Sequence, residues 1–269
     1  MDSFRFPTVF LSHGTPMLAF GEDEYQAMLF ALGESLPKPK AVVFLSSHSI
    51  SGESVHVLKT EKNTIHHDFY GFPEELYQIK YECPGEPEIA VKVASLLKEG
   101  GFDVKLDANG PLDHGIWIPL SHLYPKGDTP VVRVSLPLSM EPTQILKMGH
   151  SLANLRNEGV MIVASGGAVH NLQKLEWSKK YGEGSDWAVQ FENFLLNALE
   201  KKDVEALLHA TEHPMFSKAH PSQEHFLPLI FAVGAALKGD EVNVHFHGIQ
   251  YKTLSMLCFS LNHAQTPFH

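Results

Sequence analysis

The chain has 269 residues, of which 43% are hydrophobic, and it carries a formal net charge of −10. This length can bury one large core, so the composition is that of a globular protein and excludes a disordered chain. The acidic balance argues against nucleic acid as a partner, because proteins that bind phosphate backbones concentrate Lys and Arg. The two cysteines, Cys83 and Cys258, form no Cys-x-x-Cys pair and so indicate neither a thiolate zinc site nor a redox pair.

Short apolar runs between Gly and Pro predict strands, and helical periodicity predicts helices. In chain order we predict strand Thr8–Leu11, helix Glu22–Leu32 ending at Gly33, strand Ala41–Ser47, strand Ser54–Thr60, helix Pro87–Glu99, strand Val104–Leu106, a helix beginning near His114, strand Val131–Leu136, helix Pro142–Glu158, strand Val160–Ala164, helix Trp187–Leu199, a short helix Asp203–His209, helix Leu229–Leu237, and strands Val242–Phe246 and Leu254–Leu261. This alternation predicts a three-layer α/β/α sandwich around a mixed, largely parallel sheet.

No linker, repeat or low-complexity tract divides the chain, so we assign residues 1–269 to a single domain. The first residues lack the basic and apolar segments of a signal peptide. No apolar stretch has the length that a bilayer requires. We therefore expect a cytoplasmic protein without membrane contact.

Histidines follow three of the predicted strands. His13, His48 and His170 come directly or closely after apolar runs, and the chain contains 17 histidines in all. In open α/β sheets, ligands bind at the carboxyl ends of the strands, where these side chains would converge. A single such histidine more often caps a strand by hydrogen bonding, but three in the same context favour a metal site. Three imidazole ligands with open positions suit zinc or iron(II).

Three further segments add candidate residues. The segment His66–Pro73 is rich in aromatics, Gly and Pro and predicts a loop, either a binding loop or a packed cover of the core. His114 lies near a helix N-terminus, where the helix dipole disfavours imidazolium, although this feature alone favours a structural histidine. His225 lies at the start of an apolar helix and could complete a metal site. Carboxylates that could hold ligand histidines are Glu224, Asp68 and Asp113.

The sequence resembles the class III extradiol ring-cleavage dioxygenases, the superfamily of the protocatechuate 4,5-dioxygenase catalytic subunit, and within it the 4,5-DOPA extradiol dioxygenase branch. The resemblance runs from about Val9 to Ser260. It rests on six segments in order: Ser12–Pro16, Ser46–His48, His67–Pro73, Asp113–Trp117, Ala164–Leu172 and Glu224–Leu229.

This resemblance implies metal ligands at His13, His48 and His225. It also implies a catalytic acid/base at His170 and a second catalytic histidine, His114, close to the substrate. The strand pattern alone would have counted His170 as a ligand. In the matching segments we take three residues as candidate substrate contacts: Asp68, Phe69 and Trp117.

The resemblance predicts a phosphorylase/hydrolase-like fold and an iron(II)-dependent dioxygenase that opens the ring of a small catechol, DOPA-like or other, with O2. Zinc(II) could occupy the purified protein, because neutral imidazoles accept both metals. Two alternatives stay open: a zinc-dependent hydrolase, and a metal-binding interaction protein without catalysis. The chain could also assemble as a homo-oligomer.

Overall fold

The computed structural model describes residues 4–263. Its strands are β1 Thr8–Ser12, β2 Ala41–Ser51, β3 Val55–Leu58, β4 Lys62–Asn63, β5 Cys83–Pro84, β6 Val104–Asp107, β7 Val131–Pro137, β8 Val160–Gly166, β9 Asp240–Phe246, β10 Ile249–Gln250, β11 Leu254–Ser255 and β12 Cys258–His263. Its α-helices are α1 Glu24–Glu34, α2 Glu74–Tyr77, α3 Pro87–Glu99, α4 His114–Leu123, α5 Pro142–Leu152, α6 Asp186–Glu200, α7 Val204–Leu208, α8 Phe216–Ala219 and α9 Leu227–Gly234. Short 3-10 helices cover Pro16–Ala19, Ala153–Glu158, Leu172–Lys174 and Ala210–Glu212.

Eight strands form the central sheet in the order β6-β3-β7-β2-β8-β1-β12-β9. The four central strands, β7, β2, β8 and β1, run parallel to one another, and β6 is parallel to β3. β3 is antiparallel to β7, while β12 is antiparallel to both β1 and β9. The predicted mixed sheet is therefore confirmed, with its parallel part in the centre.

Buried side chains alternate between the two faces of the sheet and form two cores. Val43 and Leu45 of β2 face the core that contains residues of α3, α5, α6 and α9. Val42 and Phe44 of the same strand face the core that contains residues of α1 and α4. Because successive side chains of a strand point to opposite faces, one buried strand can serve both cores. The result is the predicted three-layer α/β/α sandwich.

Several predicted element bounds are wrong. Gly33 lies inside α1, which ends at Glu34, and so does not cap it. A Cβ at this position would lie 2.0 Å from the carbonyl oxygen of Leu123 in α4. The glycine is there for close helix packing. The predicted helix over residues 142–158 ends at Leu152 and continues as a 3-10 helix.

The last predicted strand, Leu254–Leu261, is also wrong as a single element. It divides into β11 and β12, and only β12 joins the central sheet. From the sequence we expect a frayed tail over Asn262–His269, but Asn262 and His263 belong to β12, and residues 264–269 lie outside the described residues. Between residues 4 and 263, no helix combines the length and the apolar character needed to cross a membrane.

Candidate metal centre

Three histidines from separate elements meet at the carboxyl edge of the parallel strands. His13 directly follows Ser12, the last residue of β1, and His48 lies within β2. β1 and β2 both pair with β8, so the two histidines flank the same central strand. His225 precedes α9 by two residues, and its backbone oxygen accepts a hydrogen bond from the Gly167 N–H, 2.9 Å away. The sheet edge therefore fixes all three positions.

An irregularity in β2 places His48 at this edge. The pairing between β2 and β7 passes from Leu45↔Val134 to Ile50↔Leu136, so five steps along β2 face two along β7. The additional residues leave the ladder, and such bulges redirect side chains next to functional sites. His48 belongs to this bulge, and its backbone N–H is held by the Ser46 hydroxyl at 3.1 Å.

The Nε2 atoms of the three histidines converge. The Nε2 atom of His48 lies 3.1 Å from that of His13 and 3.3 Å from that of His225. Two imidazole nitrogens bound to one zinc ion lie about 2.9 Å apart when the N–Zn–N angle is about 90°, and about 3.4 Å apart when this angle is tetrahedral. Both observed spacings fall within this range, so the His48 Nε2 is placed to share a divalent ion with His13 and with His225.

The other ring nitrogens of two of these histidines are already engaged. Nδ1 of His13 lies 2.7 Å from the Ser165 hydroxyl, and Nδ1 of His225 lies 3.0 Å from a Glu224 carboxylate oxygen. Because an ionised carboxylate can only accept, the Nδ1 of His225 carries the proton and its Nε2 offers a lone pair. Such partners usually fix the tautomer and the direction of metal-binding imidazoles.

His114, the first residue of α4, stands beside this centre. Its backbone N–H donates to one Asp68 carboxylate oxygen at 2.8 Å, and its Nδ1 contacts the other at 3.0 Å. The His114 ring lies 4.1 Å from the His48 ring between centroids. One ring nitrogen from each of His13, His48 and His114 falls within a mutual distance of 4.8 Å. Asp68 therefore fixes the position and the tautomer of His114.

His170, four residues beyond β8, stacks on His225. The two rings are nearly parallel, at an interplanar angle of 5° and a centroid distance of 3.5 Å. One ring nitrogen from each of His13, His170 and His225 also falls within a mutual distance of 4.8 Å. The backbone N–H of His170 donates to the Ala219 carbonyl at 2.9 Å. The stack and this bond fix the ring beside the three converging nitrogens.

Burial and mutual repulsion keep these imidazoles neutral. Burial, and then the charge of His114, lower the pKa of His48 to about 3. Burial and then the charges of neighbouring histidines hold the pKa values of His13 and His225 well below the ordinary value. A metal ion binds the neutral imidazole, so the folded chain presents these ligands in the required protonation state near pH 7.

Burial raises the pKa of a carboxylate, and hydrogen bonds from neighbouring groups oppose this to different extents at Asp68 and Asp113. Burial alone would raise the pKa of Asp68, but the side-chain and backbone hydrogen bonds of His114 outweigh it and lower this pKa to about 2. Burial does raise the pKa of Asp113, against hydrogen bonds from Ser49 and Ser46. Asp68 is therefore ionised beside the centre.

Of the candidate substrate contacts, Phe69 lies against a histidine of the site, whereas Trp117 is buried beneath the loop. The Phe69 ring meets the His114 ring edge to face, with centroids 5.6 Å apart. Trp117 is fully buried, and its indole N–H donates to the His66 carbonyl at 3.0 Å. Its visible role is to hold the loop that carries Asp68 and Phe69, and its contact with a substrate stays a prediction.

Sequence reasoning missed Ser165, the partner of His13, and the hydroxyls that hold Asp113. The Ser46 hydroxyl donates to one Asp113 oxygen at 2.7 Å, and the Ser49 hydroxyl donates to the other. A usable signal existed, since serines adjoin His13 and His48, and Ser165 lies near the end of the strand that precedes His170. The pairing of individual hydroxyls with Nδ1 or with a carboxylate could not be read from spacing.

Residues 7–259 match the family described as the catalytic LigB subunit of aromatic ring-opening dioxygenase. The chain belongs to this family. The Escherichia coli K12 protein named 4,5-DOPA dioxygenase extradiol is 36% identical over 263 residues, which cover 96% of this chain and 95% of that protein. The Beta vulgaris protein of the same name is 39% identical over 236 residues, covering 85% of this chain and 86% of the relative.

A solved structure points to the same LigB-family fold. An uncharacterized protein from Escherichia coli K12 superposes with a TM-score of 0.82 at 30% identity, covering 96% of this chain and all of that one. The family and its relatives confirm the expected enzyme class: a metal-dependent extradiol dioxygenase that cleaves a catechol ring. They favour neither a hydrolase nor a protein without catalysis.

Proposed function

We propose that this LigB-family chain binds iron(II) through His13, His48 and His225 and opens the ring of a small catechol, with His170 and His114 as the catalytic histidines. One observation carries the proposal. Three Nε2 atoms converge at 3.1 and 3.3 Å, and two further imidazoles lie against them. The arrangement combines a compact set of metal ligands with two groups that can handle protons.

Iron(II) and zinc(II) both accept three neutral imidazoles, so the ligand set alone fits either metal. Ring cleavage by O2 is redox chemistry, which zinc cannot supply. Bound iron(II) would supply that redox chemistry and act as a Lewis acid and template for the catechol oxygens. We therefore propose iron(II) as the active metal, with zinc as a possible substitute in purified protein.

His170 is proposed as the proton acceptor for a catechol hydroxyl and as the later donor. Burial, and then the charges of His220, His48 and His114, lower its pKa to about 3. The ring is therefore neutral near pH 7 and able to accept a proton. Stacking on His225 keeps it from turning away from the ligands.

His114 is proposed to hydrogen-bond the substrate oxygens. Its Nδ1 is committed to Asp68, which leaves Nε2 as the nitrogen for a substrate hydroxyl or oxyanion. The Asp68 carboxylate stabilises positive charge on this ring during a proton transfer. Asp68 and Phe69 together form the side of the site that the predicted loop contributes.

The relatives' names lead us to propose a DOPA-like or other small catechol as substrate, with O2 as co-substrate. A single domain over residues 1–269, a cytoplasmic location, the absence of nucleic-acid and membrane partners, and assembly as a homo-oligomer stay predictions. None of them changes the chemistry proposed at the five histidines.

Oxygen consumption tests the proposal. Protein reconstituted anaerobically with iron(II) should consume O2 with a panel of catechols, including DOPA. His170→Gln should still bind iron and catechol, but its turnover should fall about 10²–10⁴-fold, the usual effect of removing general acid–base help. His150→Gln, at an exposed position of α5, is the matched control and should behave as wild type.

Three outcomes would contradict the proposal. Fully metallated His170→Gln with wild-type turnover would remove His170 from the mechanism. Reduced iron content in this variant would make His170 a ligand. Hydrolysis of an ester or amide panel by the zinc form, without any oxygen consumption by the iron form, would favour the hydrolase.

A further inference from the structure

An exposed indole stands in the irregular segment that follows His170. Trp177 is 57% exposed, and its ring contacts two other rings. The centroid of Phe72 lies 6.1 Å away and that of Tyr251 lies 5.3 Å away, both in edge-on geometry. Large exposed aromatics that form a continuous surface mark binding sites more often than isolated ones do.

These rings lead back to the proposed site. Phe72 contacts Phe69 at 5.6 Å, and Phe69 contacts His114 at the same distance. An unbroken series of ring contacts therefore runs from a proposed catalytic histidine to the surface. We call Phe69, Phe72, Trp177 and Tyr251 the aromatic rim.

The segment that carries Trp177 is anchored at several points. The backbone N–H groups of Glu176 and Ser185 donate to the carbonyls of Tyr251 and Lys252, at 3.0 and 2.9 Å. Asp23 accepts a hydrogen bond from the Tyr181 hydroxyl and pairs with Lys180, both at 3.1 Å. These bonds fix the segment, so the exposure of Trp177 is a feature of the folded structure.

The turn that bonds to this segment contains two residues with positive φ angles. Tyr251 and Lys252 have φ angles of 50° and 70°, a left-handed conformation that residues with a Cβ rarely adopt. Strained conformations of this kind concentrate at ligand-binding and catalytic sites. At this position the turn presents the Tyr251 ring to Trp177.

We propose that the aromatic rim binds the substituent of the catechol ring, and that Trp177 is a specificity-determining residue for substituted catechols. This inference rests on the proposed function. In the proposed function the two catechol oxygens would face the metal ligands, so a substituent on the far side of the ring would point away from them. From His114 the ring contacts continue through Phe69 and Phe72 to Trp177, and such a surface favours planar or apolar groups.

A polar cavity is the competing location. It has a volume of about 330 Å³ and is lined by residues that include His48, Asp68 and Arg133. Its lining contains neither His114 nor His170, and Phe69 does not reach it. The aromatic rim is favoured because its ring contacts begin at His114 itself.

The test compares catechol with 4-tert-butylcatechol on the iron(II) form of the whole protein. Trp177→Ala should raise the KM for 4-tert-butylcatechol about 3–10-fold, the scale of one favourable aromatic contact. The KM for catechol and both kcat values should change less than about twofold, and Trp177→Phe should restore most of the loss. Trp187→Phe, whose ring packs against the opposite core, is the control.

Binding without turnover supplies a second readout. Zinc-loaded protein, which has no redox chemistry, should show the same loss in calorimetric affinity for 4-tert-butylcatechol. Binding should quench tryptophan fluorescence in wild type and Trp187→Phe, and much less in Trp177→Phe. A thermal melt of each variant shows that it is folded.

Equal changes in KM for both catechols, or none, would overturn the role of Trp177 while leaving the dioxygenase standing. A shift in Arg133→Gln but not in Trp177→Ala would place the substituent in the polar cavity and also overturn it. Wild-type protein that neither turns over nor binds either catechol would instead refute the proposed function.

Discussion

A methyl group at Gly166 should displace a proposed metal ligand. Gly166 ends β8, and a Cβ built on it would lie 2.2 Å from the carbonyl oxygen of His225. Real Cβ contacts essentially never fall below 3.0 Å, so this backbone must move by at least 0.8 Å, the difference between the two distances. Metal–ligand distances tolerate changes of only about 0.2 Å.

Gly166→Ala should therefore weaken metal binding about 10–100-fold, the scale seen when the support of a ligand is lost. Overpacking should also lower the free energy of unfolding by about 1–3 kcal/mol. Zinc affinity is measured by competition with a chelator, on protein whose folded state is checked by circular dichroism. Gly52→Ala is the matched control, because a Cβ there meets nothing within 4 Å.

The reasoning would be refuted by a folded Gly166→Ala protein whose zinc affinity stays within about twofold of wild type. Equal losses in Gly166→Ala and Gly52→Ala would mean that any added methyl disturbs the protein, and would remove the link to His225. Wild-type protein without zinc affinity would contradict the proposed metal centre itself.

Three further predictions concern other buried groups. Asp68→Asn removes the charged acceptor of His114, so kcat should fall about 10–100-fold at unchanged iron content, and unchanged kcat would contradict this. Arg156 is fully buried and donates to Asp240 at 2.6 Å, so Arg156→Met should cost about 3–5 kcal/mol in urea unfolding, and a loss under about 1 kcal/mol would contradict it. Burial lowers the pKa of His220 to about 4, below that of the unfolded chain, so its contribution to stability is present above about pH 6.5 and is lost towards pH 4. His220→Gln should therefore flatten the pH dependence of unfolding in this range, by at most about 3 kcal/mol, and an unchanged slope would count against it.

The strand-end histidines could be predicted because two simple patterns agree there. Apolar runs such as Val9–Leu11 and Val160–Ala164 are buried on both faces, as the parallel centre of a sheet requires. Parallel strands end at a common edge, so residues that follow them must be neighbours. The sequence alone therefore places His13 and His48 close together at this edge.

Elements whose limits depend on distant contacts could not be predicted. Gly33 has the local signature of a helix end, but the approach of Leu123 from α4 decides its role. The bulge in β2 is equally hidden: the strand predicted over Ala41–Ser47 continues to Ser51, and its register is set by β7. Local sequence gives the period of an element, while its ends depend on what it packs against.

The pattern of residues could not show which histidines bind the metal and which transfer protons, because these roles also depend on contacts in space. His13, His48 and His170 are equivalent as strand-end histidines, and only the resemblance to a known family separated them. In space they differ through their neighbours: the His48 nitrogen faces two other Nε2 atoms, whereas the His170 ring lies flat against His225. A role that depends on ring orientation cannot be read from the spacing of residues.

The same neighbours explain why this region should depend on its metal. Folding buries imidazoles from several elements together, which removes them from water and lowers the pKa values of His13, His48, His170 and His225. That burial costs free energy which the surrounding apolar cores must supply. Glu224 holds the His225 ring with its Nε2 lone pair turned inward, and Ser165 holds Nδ1 of His13, so near pH 7 these buried rings are neutral. A divalent ion bound as proposed would accept a lone pair from all three Nε2 atoms, so metal binding should stabilise the folded chain by mass action, and the largest gain should fall on β1, β2 and the start of α9.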